Sequence, residues 1–344
     1  MNKYKIALLL SFCLLFTACS ADKQQSKNDA PMQSQAGNAT GSLQEDALKP
    51  GLEETESPAV DPAAHLPYRQ TVAAGDDTSI AIMQDGSIVT AGDEATGYIN
   101  PDATYVSVDS YNHYILLKAD GTATAGMFEG NESAFSKATY VQGWTDLVAV
   151  TAGMTFSAGL KSDGTVVITE GVTKAHDQVA GWTDIVMIDA GYFLVGLKSD
   201  GTVVAAMSNN TSSESRSFES WTDIVAISTS SSYIMGLKSD GTVVAWSSTA
   251  NDPKLDVSGW TDIVQISAGL NHAVGLKADG TVVSTKILDA EYDRGETQVE
   301  GWTDIVAISS NYTHTLGIKS DGTVVSAGTE DACDVSGWGK AQLP

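Results

Sequence analysis

Histidine is the first residue type to consider for catalysis or metal binding, and this chain has five. Three of them, His113, His272 and His314, occupy one position of an internal repeat. The other copies of the repeat hold a threonine or an aromatic residue at that position: Thr78, Phe156, Phe193 and Tyr233. A metal site needs convergent ligands at defined spacing. A position that accepts either His or an aromatic ring favours packing, so we predict no metal site here.

Seven Asp-Gly dipeptides recur along the chain and could suggest calcium binding. Their aspartates are Asp85, Asp120, Asp163, Asp200, Asp240, Asp279 and Asp321. A calcium loop needs several oxygen ligands at alternating positions, whereas each copy offers a single aspartate. Glycine readily adopts the positive φ that a tight hairpin requires. We therefore interpret the dipeptides as hairpin turns.

Motifs for nucleophilic catalysis are missing from the sequence. It has no nucleophile elbow, no phosphate-cradling glycine loop and no paired-histidine metalloprotease helix. Cys333 is expected to be a lone buried thiol. We predict no catalytic residue and no cofactor. An enzyme that gathers its residues from separate repeats stays open, although the sequence favours a protein without enzymatic activity.

Recognition residues are expected where the repeat copies differ most in length and sequence. Residues 286–300 form one such segment, and it gathers four acidic residues, Asp289, Glu291, Asp293 and Glu296. Trp246 is a further candidate, because it alone of the seven tryptophans lies outside a shared repeat position. We predict that these five residues belong to a polar, negative recognition surface. Solvated connecting loops are the alternative.

The charge balance narrows the class of partner. The chain has 19 Lys and Arg against 43 Asp and Glu, which gives a formal net charge of −24. Nucleic-acid binding demands clustered cations to neutralise phosphates, so we predict no nucleic-acid partner. A strongly acidic surface suits an exported, well-solvated protein or a basic partner.

The first residues are typical of an exported lipoprotein. Lys3 and Lys5 precede an apolar run from Ile6 to Phe16, which suits a signal peptide and is too short to span a bilayer. Residues 16–19, Phe-Thr-Ala-Cys, resemble a bacterial lipobox. We predict a signal peptide over 1–18 and lipidation of Cys19 with palmitate-type chains. This would place the protein in the bacterial cell envelope, anchored in the membrane and facing out of the cytoplasm.

Residues 19–65 lack hydrophobic periodicity and are rich in Gln, Ser, Ala and acidic residues. Such a composition does not offset the entropy lost on ordering. We predict a flexible, disordered tether between the lipid and the body of the protein, which we place at residues 66–344.

The body consists of seven copies of a repeat. The phrase Gly-Trp-Thr-Asp-Ile-Val is followed by Leu-Lys-Ser-Asp-Gly-Thr, and the seven turn aspartates lie 35 to 43 residues apart. Seven units of about forty residues fit the blades of a propeller with four strands each. We predict an all-β fold, a single seven-bladed β-propeller. Six tryptophans share one repeat position, which favours packing between blades.

The two ends of the body predict ring closure. Gly337 and Trp338 open an eighth phrase that has no repeat behind it, while the first copy lacks its own Gly-Trp. We expect the C-terminal segment to complete the first blade. Closure would remove the exposed strand edges at which sheets aggregate.

These residues resemble the regulator of chromosome condensation repeat family, in its bacterial tandem-repeat branch. The resemblance covers about residues 68–344 and implies a seven-bladed propeller. The first two copies depart from the pattern, since residues 68–72 and 103–106 replace Trp-Thr-Asp-Ile-Val. The family includes a guanine-nucleotide exchange factor and a secreted β-lactamase inhibitor. An exported lipoprotein does not fit nucleotide exchange.

We expect a monomeric cell-surface module that binds an extracellular protein or glycan. The first alternative is a lyase or hydrolase that acts on a polysaccharide or the cell wall. A deep pocket with clustered carboxylates and a perturbed pKa would favour that enzyme. Inhibition of an extracellular enzyme and a purely structural envelope spacer are further alternatives.

Overall fold

Short antiparallel strands make up the body of the protein. The structure is a computed structural model. It describes residues 69–96, 99–129, 136–169, 177–206, 216–248, 255–287, 291–328 and 332–344. The predicted signal peptide, Cys19 and the tether of residues 19–65 lie outside the described residues.

The strands form seven antiparallel sheets, which are the blades of a propeller and are numbered here in chain order. From blade 1 to blade 7 they are β1 (Val72–Ala74), β2 (Thr78–Ile82), β3 (Ile88–Gly92); β4 (Ala95–Thr96), β5 (Tyr105–Ser110), β6 (His113–Lys118), β7 (Ala123–Phe128); β8 (Leu147–Ala152), β9 (Ser157–Lys161), β10 (Val166–Ile168); β11 (Ile185–Ala190), β12 (Leu194–Lys198), β13 (Val203–Ala206); β14 (Ile224–Thr229), β15 (Tyr233–Lys238), β16 (Val243–Ser247); β17 (Ile263–Ala268), β18 (Ala273–Lys277), β19 (Val282–Ser284); β20 (Ile305–Asn311), β21 (His314–Lys319), β22 (Val324–Gly328). The inner strands, nearest the ring centre, are β1, β5, β8, β11, β14, β17 and β20.

Within the described residues, six of the seven blades have three strands, and the predicted fourth strand falls largely on connecting segments that lie outside those residues. Among the described residues only blade 2 has four, because β4 pairs with the outer edge of β7. The connecting segments lack the apolar alternation of a strand. In two of them the described part is a 3-10 helix, Ser136–Thr139 or Ser217–Ser220. Each helix buries one side chain, Ala138 or Phe218, and leaves most of its other residues at the surface.

The hairpin interpretation of the Asp-Gly dipeptides is confirmed. In blade 2, the Gly121 N–H donates to the Lys118 carbonyl at 3.0 Å, and Gly121 has a φ of 79°. One carboxylate oxygen of Asp120 accepts the N–H and the hydroxyl of Thr122 at 2.9 and 2.6 Å. The same bond from an aspartate to the backbone two residues later occurs in all seven blades. These aspartates therefore shape turns.

Neighbouring blades are joined through the same turns. The N–H at the start of an inner strand donates to the carbonyl of the turn glycine in the preceding blade, at 2.9 to 3.3 Å. The pairs are Leu147–Gly121, Ile185–Gly164, Ile224–Gly201, Ile263–Gly241 and Ile305–Gly280. The residue before each of these strands is the aspartate of Trp-Thr-Asp, with a φ near +60°. Asp tolerates this left-handed conformation better than most residues, and it places the corner of the blade.

The predicted ring closure is confirmed. Ala341 donates its N–H to the Gly322 carbonyl at 2.9 Å, the bond that joins the other blades. Ala341 also pairs with Met83 of blade 1, and the Lys340 and Gln342 backbones bond Gln84 and Ile82 at 2.9 and 2.8 Å. The inner edge of blade 1 therefore combines two distant pieces of chain. The C-terminal segment occupies the place that an isoleucine holds in blades 4 to 7.

The core consists of seven hydrophobic clusters, one at each interface between neighbouring blades. The repeated tryptophans take part in them, as predicted for a packing position. Five of the six also lie against a glycine of the middle strand in their own blade, while Trp338 belongs to blade 1, where Ala81 stands at this position. In blade 6, a Cβ at Gly275 would be only 2.8 Å from the Trp260 ring. Blade 2 has no tryptophan, and Leu116 stands at the glycine position.

Candidate functional site

The inner strands surround a central channel with a cavity volume of about 660 Å³. At the end where the strands begin, their second residue is valine in blades 2 to 7. These residues, here called the valine rim, are Val106, Val148, Val186, Val225, Val264 and Val306. Four of them, Val148, Val186, Val225 and Val264, line the cavity. Three of the six are exposed, and Val264 keeps 54% of its surface accessible. A recurring apolar residue at the mouth of a cavity is typical of a binding surface.

The opposite end of the channel is crossed by side chains. The Tyr111 hydroxyl, after the inner strand of blade 2, lies 2.6 Å from the Ser231 hydroxyl in blade 5. Asn311 of blade 7 donates its side-chain amide to the Ser110 carbonyl of blade 2 at 3.1 Å. Both contacts join blades that are not neighbours. They make a floor, so that the channel is a cup open at the valine rim.

A belt of hydrogen bonds runs around the channel between these two ends. The acceptor is the side chain of the fifth residue of an inner strand. The donor is the N–H of the sixth inner-strand residue in the next blade, or of its equivalent in blade 1, Ala74. Five such bonds, at 2.7 to 3.1 Å, are Asp109–Ala152, Asp189–Thr229, Ser228–Ala268, Ser267–Ser310 and Ser309–Ala74. The last bond links blade 7 to blade 1. The belt therefore runs through the closed ring.

Two positions of the belt lack this bond to the next blade, and in both cases the next blade has an aspartate at the same position. Ala73 of blade 1 has no acceptor in its side chain, and the Thr151 hydroxyl turns back to Asp109 at 2.8 Å. In the next blade, Asp109 or Asp189 then accepts the N–H of the residue after it, at 2.8 or 3.0 Å. A carboxylate has two oxygens and can satisfy two donors. Each aspartate serves its own strand with one oxygen and the next blade with the other.

The carboxylates of Asp109 and Asp189 lie on either side of Thr151 and remain partly accessible from the channel. Burial raises the pKa of both carboxyls well above the usual value, and the nearby charge of Asp109 adds to the effect at Asp189. Their hydrogen bonds oppose the shift. Removal from water disfavours the charged form of a carboxyl, and a second negative charge nearby does the same.

The three histidines of the repeat form a second set of contacts between blades. The Nε2 atoms of His113, His272 and His314 lie 2.7 to 3.0 Å from hydroxyls of the next blade. Those hydroxyls are Ser157, Thr315 and Ser79, and each donates its hydrogen to a backbone carbonyl. A hydroxyl has one hydrogen to give, so the histidine Nε2 must be the donor. Each ring is thus a neutral Nε2–H tautomer.

Burial keeps these histidines neutral. It lowers the pKa of His113 and His314 to about 4 and that of His272 to about 3, where the charge of His314 adds to the effect. The sequence interpretation of this position as packing therefore needs a refinement. Phe156 and Phe193 only fill the position, whereas the histidines bond the next blade through Nε2, and the Tyr233 hydroxyl donates to the Gly269 carbonyl of the next blade at 2.7 Å.

The unit of β17, β18 and β19 contains the elements just described: a belt serine, a bonding histidine and an Asp-Gly turn. Residues 263–285, which span this unit, match the description "Regulator of chromosome condensation (RCC1) repeat". The chain contains an RCC1 repeat. No curated protein matches the sequence significantly.

Three solved structures share the fold of this chain. The CRINKLY WD40 ectodomain of the Arabidopsis thaliana receptor kinase ACR4 has a TM-score of 0.58 at 15% identity, covering 80% of this chain and 98% of that one. The ectodomain of the Physcomitrella patens receptor kinase CR4 has a TM-score of 0.55 at 14% identity, with 75% and 72% covered. Human WBSCR16 has 0.52 at 13%, with 74% and 89% covered.

The residues predicted for recognition do not gather at the channel of the propeller. Trp246 is 5% exposed and packs edge-on against Phe193 and Phe218. Glu296 is 1% exposed, and its carboxylate accepts the Arg294 N–H at 2.6 Å. Burial places both side chains away from an external ligand.

The other three predicted recognition residues differ in how far the structure describes them. Asp293 is exposed and accepts the Gly295 N–H at 2.9 Å. Glu291 is exposed as well, and Asp289 lies outside the described residues. Recognition through Glu291 and Asp293 stays a prediction.

The described residues contain no group of three or more His, Cys, Asp or Glu that could hold a metal ion. In the same part of the chain, no helix is both long and apolar enough to cross a membrane. Cys333 is a free, half-buried thiol, and burial raises its pKa to about 11. These observations leave the channel as the candidate site.

The belt and its two aspartates are not among the residues predicted from the sequence, although the aligned repeat copies share a feature that indicates them. Aligning the copies shows an oxygen-bearing side chain at the fifth inner-strand position in six of seven blades. The residues are Asp109, Thr151, Asp189, Ser228, Ser267 and Ser309. The alignment does not show that the side chain at this position in one blade accepts a backbone N–H of the next blade.

Proposed function

We propose that the protein is a recognition module of the bacterial envelope, anchored by lipid on Cys19, whose propeller binds an extracellular protein at the mouth of the channel. The observation that carries this proposal is the valine rim above the acidic cup. Exposed apolar side chains around a cavity favour a protein partner over a glycan, since apolar contacts form the centre of protein interfaces.

The rigidity of the ring supports the same proposal. The belt and the histidine contacts bond five of the seven pairs of neighbouring blades, so most of the mouth of the channel is held in one shape before a partner arrives. A preformed surface binds more tightly because less conformational entropy is lost on binding.

The anchor is tested by two single-cysteine variants of the full-length chain in a bacterial host. Cys19→Ala should release the protein from the membrane fraction and abolish incorporation of labelled palmitate. Cys13→Ala is the matched control, because this cysteine lies inside the apolar run and not at the predicted cleavage site. Retention of Cys19→Ala in the membrane would contradict the lipoprotein proposal.

The binding surface is tested by photo-crosslinking on intact cells. A photoreactive residue replaces Val264 at the rim, and Tyr140 serves as the control position because it is exposed but does not line the channel. We expect a discrete protein adduct from Val264 and none from Tyr140. Adducts from both positions, or from neither, would count against recognition at the rim; glycan-bearing adducts would assign it to a glycan.

The pair Asp109 and Asp189 favours a second candidate, a polysaccharide-acting lyase or hydrolase. Two carboxyls with raised pKa in one cavity meet the criterion set out for an enzyme. However, both oxygens of Asp109 already accept hydrogen bonds from the belt and from Gln70. Release of reducing ends from envelope polysaccharides by the wild type, but not by Asp109→Asn, would establish the enzyme instead.

A further inference from the structure

The cup is large enough to admit a side chain of a partner protein. Its opening is the valine rim, and its floor is crossed by the Tyr111–Ser231 contact. On β11, Asp189 lies three residues below Val186, which corresponds to about 10 Å along a strand. A cavity volume of about 660 Å³ is within the range of small-ligand sites. A ligand that enters at the rim therefore passes apolar side chains before it reaches the carboxylates.

The two carboxylates in the cup have no counter-charge. Within the described residues the ion pairs are Arg216–Glu219 and Lys340–Asp321, and neither involves the channel aspartates. All other hydrogen-bond partners of Asp109 and Asp189 in the belt are neutral. A buried charge without an opposite charge is costly, and a cation of suitable shape would relieve that cost.

The other charged and titratable groups of the cavity lie at its two ends. Arg69 and Lys198 line it together with Asp200 and Asp223, so the near-rim charges balance in sign. Tyr111, with a pKa raised mainly by burial, is on the floor.

We propose that the cup binds the side chain of a lysine presented by the partner protein, with its ammonium group against Asp109 and Asp189 and its methylene groups along the channel wall between the valine rim and these carboxylates. The inference rests on the proposed function, because it names the chemistry by which the rim recognises a partner. A lysine side chain combines the two features that the cup offers, an apolar stem and a cationic end. The strongly negative net charge of the chain favours the approach of such a partner.

Binding of the ammonium group is linked to ionisation of the pair. An opposite charge nearby favours the charged form of a carboxyl, so the bound cation displaces protons that the raised pKa retains. Affinity should therefore rise as the pH increases from about 5 to about 8. An alkylammonium ion stays charged over this range, because amines of the lysine type titrate near 10.4.

The test is a calorimetric titration of the full-length protein with n-butylammonium chloride, which represents the lysine side chain. The neutral 1-pentanol has a similar shape and serves as the matched probe. We expect heat of binding for the ammonium ion only, with at least a tenfold gain in affinity between pH 5 and pH 8. Equal binding of the two probes, or no binding of the ammonium ion at either pH, would overturn the proposal.

Variants at the mouth test the site without disturbing the belt. Val186→Lys adds a fixed positive charge at the rim and should weaken n-butylammonium binding at least tenfold, whereas Val186→Glu should strengthen it. Tyr140→Lys is the control for a charge change elsewhere and should leave binding unchanged. Asp189→Asn should also reduce binding, and its melting temperature reports whether the ring is still folded. If the affinity for n-butylammonium were the same in Val186→Lys, Val186→Glu and the wild type, the lysine site in the cup would be contradicted.

The same experiments separate this proposal from the proposed function. A protein adduct at Val264 without n-butylammonium binding would keep recognition at the rim and reject the lysine site. Binding of n-butylammonium without any protein adduct would keep the cation site and reject protein recognition.

Discussion

Equivalent positions of the repeat make different hydrogen bonds in different blades. The fifth residue of the inner strand is serine where one acceptor is enough and aspartate where two N–H groups need acceptors. The histidine position likewise holds a side chain that bonds the next blade in some copies, His113, Tyr233, His272 and His314, and a ring that only packs in Phe156 and Phe193. In both cases the choice of residue follows from what the neighbouring blade supplies. Buried polar groups without partners are costly.

The histidine contacts predict a dependence of stability on pH. A histidine with a lower pKa in the folded protein than in the unfolded chain takes up its proton more readily when unfolded. Its contribution is present in full above about pH 6.5 and is lost as the pH falls toward 4. His272→Phe places at this position a residue that blades 3 and 4 already use. The fall in unfolding free energy between pH 6.5 and 4 should become shallower by about 1.4 kcal/mol per pH unit.

Urea denaturation at a series of pH values measures this slope. The carboxyl groups that also titrate in this range are common to both proteins, so the difference isolates the histidine. His113→Phe should produce a change in the same direction. An unchanged slope in both variants would show that these rings are charged in the folded protein.

At the scale of one blade, a tryptophan and a glycine act as a pair. Trp144, Trp182, Trp221, Trp260 and Trp302 each lie over a glycine of the middle strand, where a Cβ would approach the ring to within 2.8 to 3.2 Å. The pairing explains why blade 2 departs from the repeat, since the loss of its tryptophan accompanies a leucine at the glycine position. The sequence showed both residues as recurrent but not that they touch.

Gly275→Ala tests this packing. The added methyl group meets the Trp260 ring at 2.8 Å in a well-packed blade, so the free energy of unfolding should fall by about 1–3 kcal/mol. Gly259→Ala is the control, because a Cβ at Gly259 has no heavy atom within 4 Å. Chemical denaturation of both variants provides the comparison. Equal stability of the two would mean that the ring moves aside without cost.

At the scale of the whole molecule, the ring depends on its last eight residues. Residues 337–344 supply the bond from Ala341 to Gly322, the bridge to Met83 and the tryptophan that packs between blades 7 and 1. The closing segment also carries Lys340, whose ammonium group bonds Asp321 at 2.7 Å. That ion pair is exposed to solvent and adds little.

Removal of residues 337–344 should therefore lower the free energy of unfolding by more than about 3 kcal/mol, the usual effect of losing a packed tryptophan alone. Lys340→Ala removes the ion pair but keeps the backbone bonds, and its melting temperature should stay close to that of the wild type. Thermal unfolding followed by circular dichroism distinguishes the two. A truncated chain that melts like the full one would refute closure by this segment.

The sequence by itself determined the features that depend on local chemistry. Asp85 to Asp321 count the blades, because an Asp-Gly turn forms from neighbouring residues and needs no distant partner. Gly337 and Trp338 showed that the ring closes, since an unfinished repeat needs its missing half. The fourth strand of each blade stays a prediction outside blade 2, because a variable polar segment carries no period from which a strand can be recognised.

Only the tertiary structure decided how the copies meet. Ala73 and Asp109 are 36 residues apart in the chain. Because the Ala73 side chain cannot accept the Ser110 N–H of the next blade, one carboxylate oxygen of Asp109 accepts it instead. Asp189 stands in the same relation to Thr151. Trp246 and Glu296 looked available in the sequence and are buried in the fold. Contacts between blades form only when the ring is closed, so the sequence of one repeat does not show which residues of the next blade it will contact.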